Sequence, residues 1–425
     1  MFRFYIEKYG CSASIGEAEM MAGLLQQAGF EAINDAKLAD LLIVVTCYVK
    51  TPTQQRILDR IVQLTNEYPK KKMIIAGCMP EGIYKKLRET NPNASMVSTH
   101  HVTDIVPAAK RALDGQRVEY LGKSREVKLC IPKISENPLI DIVPISSGCN
   151  SACSYCCVRL SKGKLFSYPK DMILKEIEDS LSRGCKEFWL TSQDNASYGM
   201  DSKSSLPKLL NSISLIPGKF RVRVGMMNPK NVLSILPDLK DSYESSKIYK
   251  FLHLPMQSGD DSVLGGMNRG YQMRDYMNII KEFIGFNVWT DVIVGFPGET
   301  DEQFENTMKA LKTIRPDYTN ISKFGKRPGV SLEGLEDVPL KVVNERSRMV
   351  SELTRQISLE KNNCWIGWEG DVLITKKGKS ANHWIGRNPA YKLVLVESQE
   401  CILGEMANVR ISRATPWYLA GSLAE

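Results

Sequence analysis

The chain lacks most of the features that would set it apart from ordinary globular enzymes. No uninterrupted apolar run reaches the roughly 18 residues that a membrane-spanning helix needs. Glu7 and Lys8 interrupt the N-terminus before an apolar segment of targeting length could form. The expectation is a soluble cytoplasmic protein with no membrane partner. There is no repeat of fixed period and no low-complexity segment, which removes solenoids and solvated tails. A basic tail is absent too, because the net charge of +8 is spread along the chain. So modest an excess is compatible with binding phosphates but identifies no partner by itself. Eleven cysteines are many for a cytosolic protein, yet they do not form the even framework of a disulfide-rich secreted domain. They fall as one dense cluster and scattered singles, for which metal is the better explanation. At 425 residues the chain exceeds what one core usually serves, so two or three domains are expected.

The dense cluster is Gly148-Cys149-Asn150-Ser151-Ala152-Cys153-Ser154-Tyr155-Cys156, which follows an apolar run from Ile140 to Ile145. A cubane [4Fe-4S] cluster normally takes four thiolates. Three from one tight loop hold three irons and leave the fourth open to a ligand. The competing reading is a zinc knuckle, but zinc wants four ligands, usually as two close pairs, and no histidine lies near this loop to complete a set. Cys157, adjacent to Cys156, is expected to point elsewhere as an ordinary core thiol.

Residues 1–120 alternate short apolar runs (2–6, 41–46, 73–76) with amphipathic stretches near 16–28, 52–67 and 80–89. This βαβ pattern predicts an open parallel α/β sheet domain. Cys11, Cys47 and Cys78 each fall at or just beyond a strand end and before a helix, the edge where open α/β sheets build their sites. The residues alone leave Cys47 and Cys78 open between core thiols and ligands. Residues 121–139 are polar and lysine-rich and read as a linker. Six strand-then-helix units fill 140–361, with strands near 140–146, 187–192, 220–226, 250–254, 288–295 and 317–324. They predict an incomplete (β/α)6 barrel with its site at the C-terminal strand ends. Three short strands near 371–375, 392–396 and 406–412, punctuated by glycine and proline, predict a small β-barrel over 362–425.

The cysteine loop resembles the signature of the radical S-adenosylmethionine (SAM) enzymes. In that family the amino and carboxylate groups of SAM chelate the open iron, and electron transfer cleaves the sulfonium to a 5′-deoxyadenosyl radical. The resemblance places Tyr155 against the adenine and the barrel strand ends around the rest of the cofactor. It makes Asp194, Arg223 and Gln257 candidate polar contacts, with His253 open between a contact and a satisfied strand histidine. Tyr9-Gly10-Cys11, Val45-Thr46-Cys47-Tyr48-Val49 and Ala76-Gly77-Cys78-Met79-Pro80 resemble the three cysteine motifs of the methylthiotransferase N-terminal domain. There they bind a second [4Fe-4S] cluster. Ser14 stands where most members have asparagine. The C-terminal segment resembles the TRAM domain, an OB-like module that grips RNA. Trp384, Arg387, Tyr391, Lys392 and Arg413 are its candidate RNA contacts, though 7 basic against 6 acidic residues make it a weakly charged clamp. Its removal is expected to leave the clusters and SAM cleavage intact.

Together these segments resemble the methylthiotransferases, in which an adenosyl radical activates a substrate carbon and a methylated sulfur on the auxiliary cluster is transferred to it. Gly163-Lys164-Leu165-Phe166-Ser167-Tyr168-Pro169 resembles the archaeal and eukaryotic branch acting on N6-threonylcarbamoyladenosine (t6A). The implied substrate is t6A at position 37 in the tRNA anticodon loop, and the implied cofactors are two [4Fe-4S] clusters and SAM, fed by an electron donor such as a ferredoxin or flavodoxin. Lys323, Lys326 and Arg327, with Ser167 and Tyr168, are the candidates for holding the threonylcarbamoyl group. Other family substrates, an isopentenyladenosine or a ribosomal-protein aspartate, remain alternatives, as does a non-catalytic RNA-binding iron-sulfur protein.

Overall fold

The computed structural model describes every residue except Val49, Lys50, Pro328, Ser331, Glu333 and Glu425, and no side chain at 51 and 52. Val49, the last residue of the second cysteine motif, therefore lies outside the described residues. The N-terminal sheet contains β1 (Arg3–Lys8), β2 (Glu31–Ala32), β3 (Leu41–Thr46), β4 (Lys72–Gly77), β5 (Ser95–Ser98) and β6 (Glu119–Tyr120). All pairs are parallel, in the order β2-β1-β3-β4-β5-β6. β3 is buried along its length because both faces are covered, which is why it reads as a continuous apolar run. Ile43 and Val45 pack under α1 (Ser12–Gln27), while Leu42 and Val44 meet α2 (Thr51–Glu67) and α3 (Tyr84–Thr90). α4 (Ile105–Leu113) joins α1 on its face.

The next unit opens with β7 (Ile140–Pro144), a hairpin of β8 (Ser146–Ser147) and β9 (Phe166–Ser167), and between them α5 (Val158–Lys162). α6 (Lys170–Ser182), β10 (Glu187–Thr191), α7 (Leu206–Leu215), β11 (Arg221–Val224), α8 (Pro229–Leu233) and α9 (Leu236–Ser242) follow. The second half holds β12 (Phe251–His253), α10 (Asp261–Gly266), α11 (Met273–Glu282), β13 (Asn287–Val294), α12 (Asp301–Ile314), β14 (Tyr318–Lys323) and α13 (Leu340–Asn363). Its strands form two parallel three-stranded sheets, β7-β10-β11 and β12-β13-β14, joined by a parallel bridge from Val222 to Ile248. This is the expected six-stranded partial barrel.

The C-terminal barrel closes with five strands, β15 (Glu369–Lys377), β16 (His383–Arg387), β17 (Leu393–Glu397), β18 (Met406–Ala414) and β19 (Leu419–Leu423). Sequence reading found three. β16 carries Gly386, where any Cβ would stand 2.5 Å from the Leu373 carbonyl oxygen, and β19 is the weak strand former Leu-Ala-Gly-Ser-Leu. Both are strands because closure leaves no edge unpaired, a tertiary demand that outweighs propensity.

Two expectations need correction. The segment 121–139 is not a free tether. Lys133 is buried between Asp141 (2.8 Å) and Glu176 (2.6 Å), and the Ile134 amide donates to the Glu19 carbonyl. Lys128 is buried beside Glu17 (2.6 Å), which also receives Lys162 of α5 (2.7 Å) and the Thr99 hydroxyl (2.5 Å). Burial pushes the Glu17 carboxyl up, but the two ammonium groups outweigh it and hold it at about 2.

Nor are most of the expected RNA contacts of the C-terminal barrel open to solvent, although Trp417 is exposed. Tyr391 packs against Tyr249, Phe251 and Trp289 beneath the (β/α) barrel, and Lys392 is buried on Asp317 (2.7 Å) and Asn362 (2.7 Å). Trp384 lies in the small barrel's own core and donates to the Ser398 carbonyl, while Arg387 stacks on Tyr391 at 4.5 Å. Of the five expected RNA contacts only Arg413 is exposed. A sequence does not say whether an aromatic faces a partner domain or water.

This packing has measurable consequences. Tyr391→Ala should cost about 3 kcal/mol by opening a cavity in the barrel floor, and truncation after residue 361 should lower the melting temperature of what remains. An unchanged melting curve in both would show that the small barrel is an appendage. Glu17→Gln should cost about 3 kcal/mol, since it leaves two buried ammonium groups without a counter-ion. The depressed Glu17 value means this contribution is complete above the ordinary carboxylate value of 4.5 and is lost as pH falls toward about 2. Denaturant titration of wild type and variant at neutral pH measures it.

Candidate active site

Cys11, Cys47 and Cys78 lie along the C-terminal edge of the N-terminal sheet, just beyond β1, β3 and β4. Cys11 is the N-cap of the 16-residue α1, so the positive end of the helix dipole faces its sulfur. Cys47 and Cys78 leave β3 and β4 and are buried. Gly10 makes the close approach of the Cys11 turn to Cys47 possible. Its φ is +110°, and a Cβ there would stand 2.4 Å from Cβ of Cys47. The Ser14 hydroxyl lies 3.8 Å from the Cys11 sulfur, so the departure from asparagine keeps a polar group at the thiol.

The second thiol set sits on the loop between β8 and α5. Gly148, with φ +76°, opens it, and a Cβ there would stand 2.0 Å from the Lys164 carbonyl oxygen. Each sulfur of the loop receives an N–H. The Ser151 amide donates to Cys149 (3.4 Å), the Val158 amide to Cys156 (3.4 Å), and Nη1 of Arg269 to Cys153 (3.2 Å). The loop is pinned from outside by Asn268, which donates to the Ala152 carbonyl, and by Ser154, which donates to the Gly266 carbonyl. Asn228 and Asn231 hold Ser151 and Asn150.

α5 joins the two sets. It leaves Cys156 and Cys157, and its Ser161 hydroxyl lies 3.2 Å from the Cys78 sulfur. Cys157 is buried and donates to the Tyr48 carbonyl, so it packs against the N-terminal unit as a core thiol.

The barrel rim offers polar atoms that find no partner in the protein. Oγ of Ser192, Oε1 of Gln193, Nδ1 of His253 and Nε of Arg269 are buried and unsatisfied among the described residues. Such groups are costly unless a ligand completes them. His253 is held through Nε2 by Asp291 at 2.9 Å. Gln257 lies four residues beyond β12 with φ +68° and its amide N–H on the Asp291 carbonyl, leaving its side chain uncommitted to any described residue.

Two further expected cofactor contacts have partners within the protein. Asp194 is 2% exposed, and its carboxylate is spent accepting from the amides of Ala196 and Asn228 and from Nδ2 of Asn231. It shapes the rim rather than facing it. Arg223 stacks within 5.8 Å of Trp189, Phe251 and Tyr391, and its Nε is buried without a partner among the described residues. Tyr155 stays beside the cluster loop, against Val263, Met267 and Phe296.

Comparison with known proteins matches three family models: the uncharacterized protein family UPF0004 over residues 3–99, the radical SAM superfamily over 143–311 and the TRAM domain over 366–424. A Methanothermobacter thermautotrophicus protein named "Probable threonylcarbamoyladenosine tRNA methylthiotransferase" is 38% identical over 423 residues, 98% of each chain. A human protein named "Threonylcarbamoyladenosine tRNA methylthiotransferase" is 32% identical over 431 residues, 99% of this chain and 73% of its own. The chain belongs to the threonylcarbamoyladenosine tRNA methylthiotransferase family. Among solved structures, the radical SAM methyltransferase TsrM from Kitasatospora setae superposes with a TM-score of 0.57 at 13% identity, covering 76% of this chain and 72% of that one. That likeness shows the fold.

Radical SAM proteins carry a [4Fe-4S] cluster and SAM, and the residues present fit both. Burial raises the thiols of Cys78 and Cys149 and pushes Cys156 up to about 12, so iron must displace their protons. Among the described residues no three ligand-type side chains converge on a single ion. Sequence reading missed Arg269, whose signal lay in Met267-Asn268-Arg269-Gly270-Tyr271, an arginine held in a tight connection between helices. A cation on Cys153 would raise the reduction potential of a cluster held there. Arg269→Met is therefore expected to keep its iron but lower that potential and slow SAM cleavage several-fold. Redox titration by electron paramagnetic resonance decides this, and an unchanged midpoint removes the assigned role.

Proposed function

We propose that the protein converts t6A at position 37 of tRNA to its 2-methylthio derivative, using SAM and two [4Fe-4S] clusters. The observation that supports it most is the packing of α5, which sets Cys78 of one thiol trio against the helix that begins beside the other. Cys149, Cys153 and Cys156 would hold the cluster that binds SAM, and Cys11, Cys47 and Cys78 the auxiliary one. When bound, these groups supply radical activation of an unreactive C–H bond and the sulfur that replaces its hydrogen.

The chain's own residues bind and orient. Gln257, Ser192 and Gln193 offer the rim contacts for SAM, with Tyr155 at its side. Arg327 is half-buried, its Nη1 has no partner among the described residues, and its charge interacts with Cys156, Cys157 and Cys47. A guanidinium between the two thiol sets suits the threonylcarbamoyl carboxylate and offers nothing to an isopentenyl group. The other candidates serve less well. Lys323 donates to Asn344, Lys326 pairs with Asp337 at the surface, Ser167 accepts from the Gly199 amide, and Tyr168 is 2% exposed. By this reading a base extruded from the anticodon loop enters at the rim, a ferredoxin or flavodoxin supplies electrons, and the compartment is the cytoplasm.

Anaerobically reconstituted protein should hold about 8 irons. Removing any cysteine of one trio should leave about 4, with SAM cleavage lost only for Cys149, Cys153 or Cys156. Nucleoside mass spectrometry of treated tRNA should show thiomethylation of t6A and none of isopentenyladenosine, with Arg327→Ala losing at least tenfold in turnover while SAM cleavage persists. Equal modification of both nucleosides, or about 4 irons in the wild type, overturns the reading.

A further inference from the structure

A second concavity opens beside the cluster loop, outside the rim. It encloses about 920 Å³ of space continuous with solvent and is lined by residues 99–100, 123–126, 128, 147, 162–164 and 166. Its walls come from the N-terminal unit, the 121–139 segment and the β8–β9 hairpin, and His100 ties them together. One imidazole nitrogen lies 2.9 Å from the Ser124 carbonyl and the other 2.9 Å from the Ser161 carbonyl. Its charge is one-sided. Lys123, Arg125 and Lys164 are exposed and meet no carboxylate among the described residues, and Arg125 stands 5.8 Å over the Phe166 ring. The single lining carboxylate, Glu126, is already spent on the amides of Val102 and Thr103. Lys164 also borders the catalytic loop, because its carbonyl is the atom a Gly148 side chain would strike.

Unpaired cations around a half-buried aromatic ring, in a recess rather than on a flat patch, have the chemistry of a single-stranded nucleotide site: ammonium and guanidinium groups for the phosphate and a ring face for the base. An acidic protein surface would find the cations but could not enter the recess to use Phe166. We infer that this concavity binds a nucleotide flanking the target adenosine, with Lys123, Arg125 and Lys164 on its phosphates and Phe166 under its base. The inference rests on the tRNA reading above and names a contact that the rim itself lacks.

The test uses full-length, cluster-loaded protein and an anticodon stem-loop RNA carrying t6A. The triple variant K123A/R125A/K164A should bind the stem-loop about tenfold more weakly, and the slope of log Kd against log salt should flatten by about 0.7 for each phosphate no longer neutralised. F166L should weaken binding several-fold with the slope unchanged, since stacking carries no charge. SAM cleavage without RNA should match the wild type in both. K312A, on the outer face of α12, controls for a charge change alone. Wild-type affinity and slope in the triple variant overturn the inference, as does intact RNA binding with impaired electron delivery from flavodoxin, which would make the site a protein dock. Failure of the substrate reading is distinguishable: there the wild type binds the stem-loop but leaves t6A unmodified.

Discussion

One buried carboxylate holds the catalytic assembly together. Glu17 of α1 accepts Lys128 from the connecting segment, Lys162 from the end of α5 and the hydroxyl of Thr99 beyond β5. All are nearly sealed from water. Three pieces of chain distant in sequence thus share one charge centre. A buried charge misplaced by a few ångströms costs several kcal/mol, so such a network tolerates a single docking geometry. Hydrophobic contact would permit sliding. What must not slide here is the distance between the two thiol sets, because α1 begins at Cys11 and α5 begins beside Cys156.

The same logic explains why backbone detail concentrates at the seam. Gly10 lets the Cys11 turn pass the Cβ of Cys47, and Gly148 lets the cluster loop pass beneath Lys164. Each is a close approach that any side chain would break. His100 closes the outer wall by bridging two carbonyls, a role that favours the doubly protonated ring even as burial lowers its pKa. Local strain and opposed electrostatics are tolerated where the geometry serves chemistry, and the large aliphatic cores on either side supply the stability.

What the sequence showed depends on whether the signal was local. Strands of the parallel sheets announced themselves as apolar runs, since both their faces are covered, and the spacing of Cys149, Cys153 and Cys156 carried its own meaning. β16 and β19 were invisible because barrel closure makes them strands, not their composition. The surroundings of Asp194 and Arg223 were not legible either, because their partners, Asn228 and Asn231 for the one and Trp189, Phe251 and Tyr391 for the other, are distant in sequence. Tyr391 and Lys392 looked like an RNA surface because burial against another domain leaves no mark in a stretch of five residues. Arg269 went unnoticed because its partner, Cys153, lies 116 positions away.

The distribution of charge around the two thiol sets follows from what they must do. A site that ends in radical chemistry needs no general base, since the C–H bond offers no acidic proton. A cluster held by these thiols would gather negative charge on its sulfurs in a low-dielectric space, which nearby cations and dipoles would stabilise. The chain meets this with fixed cations and dipoles: Arg269 on Cys153, amide N–H groups on Cys149 and Cys156, Arg327 between the sets, and the α1 terminus at Cys11. The carboxylates nearby are each committed elsewhere, Glu17 to two lysines and Asp194 to three N–H donors. An uncommitted acid at this position would push electron density back onto the iron and oppose reduction. The arrangement therefore separates roles by sign: anions hold the modules in register, and cations stand at the thiols.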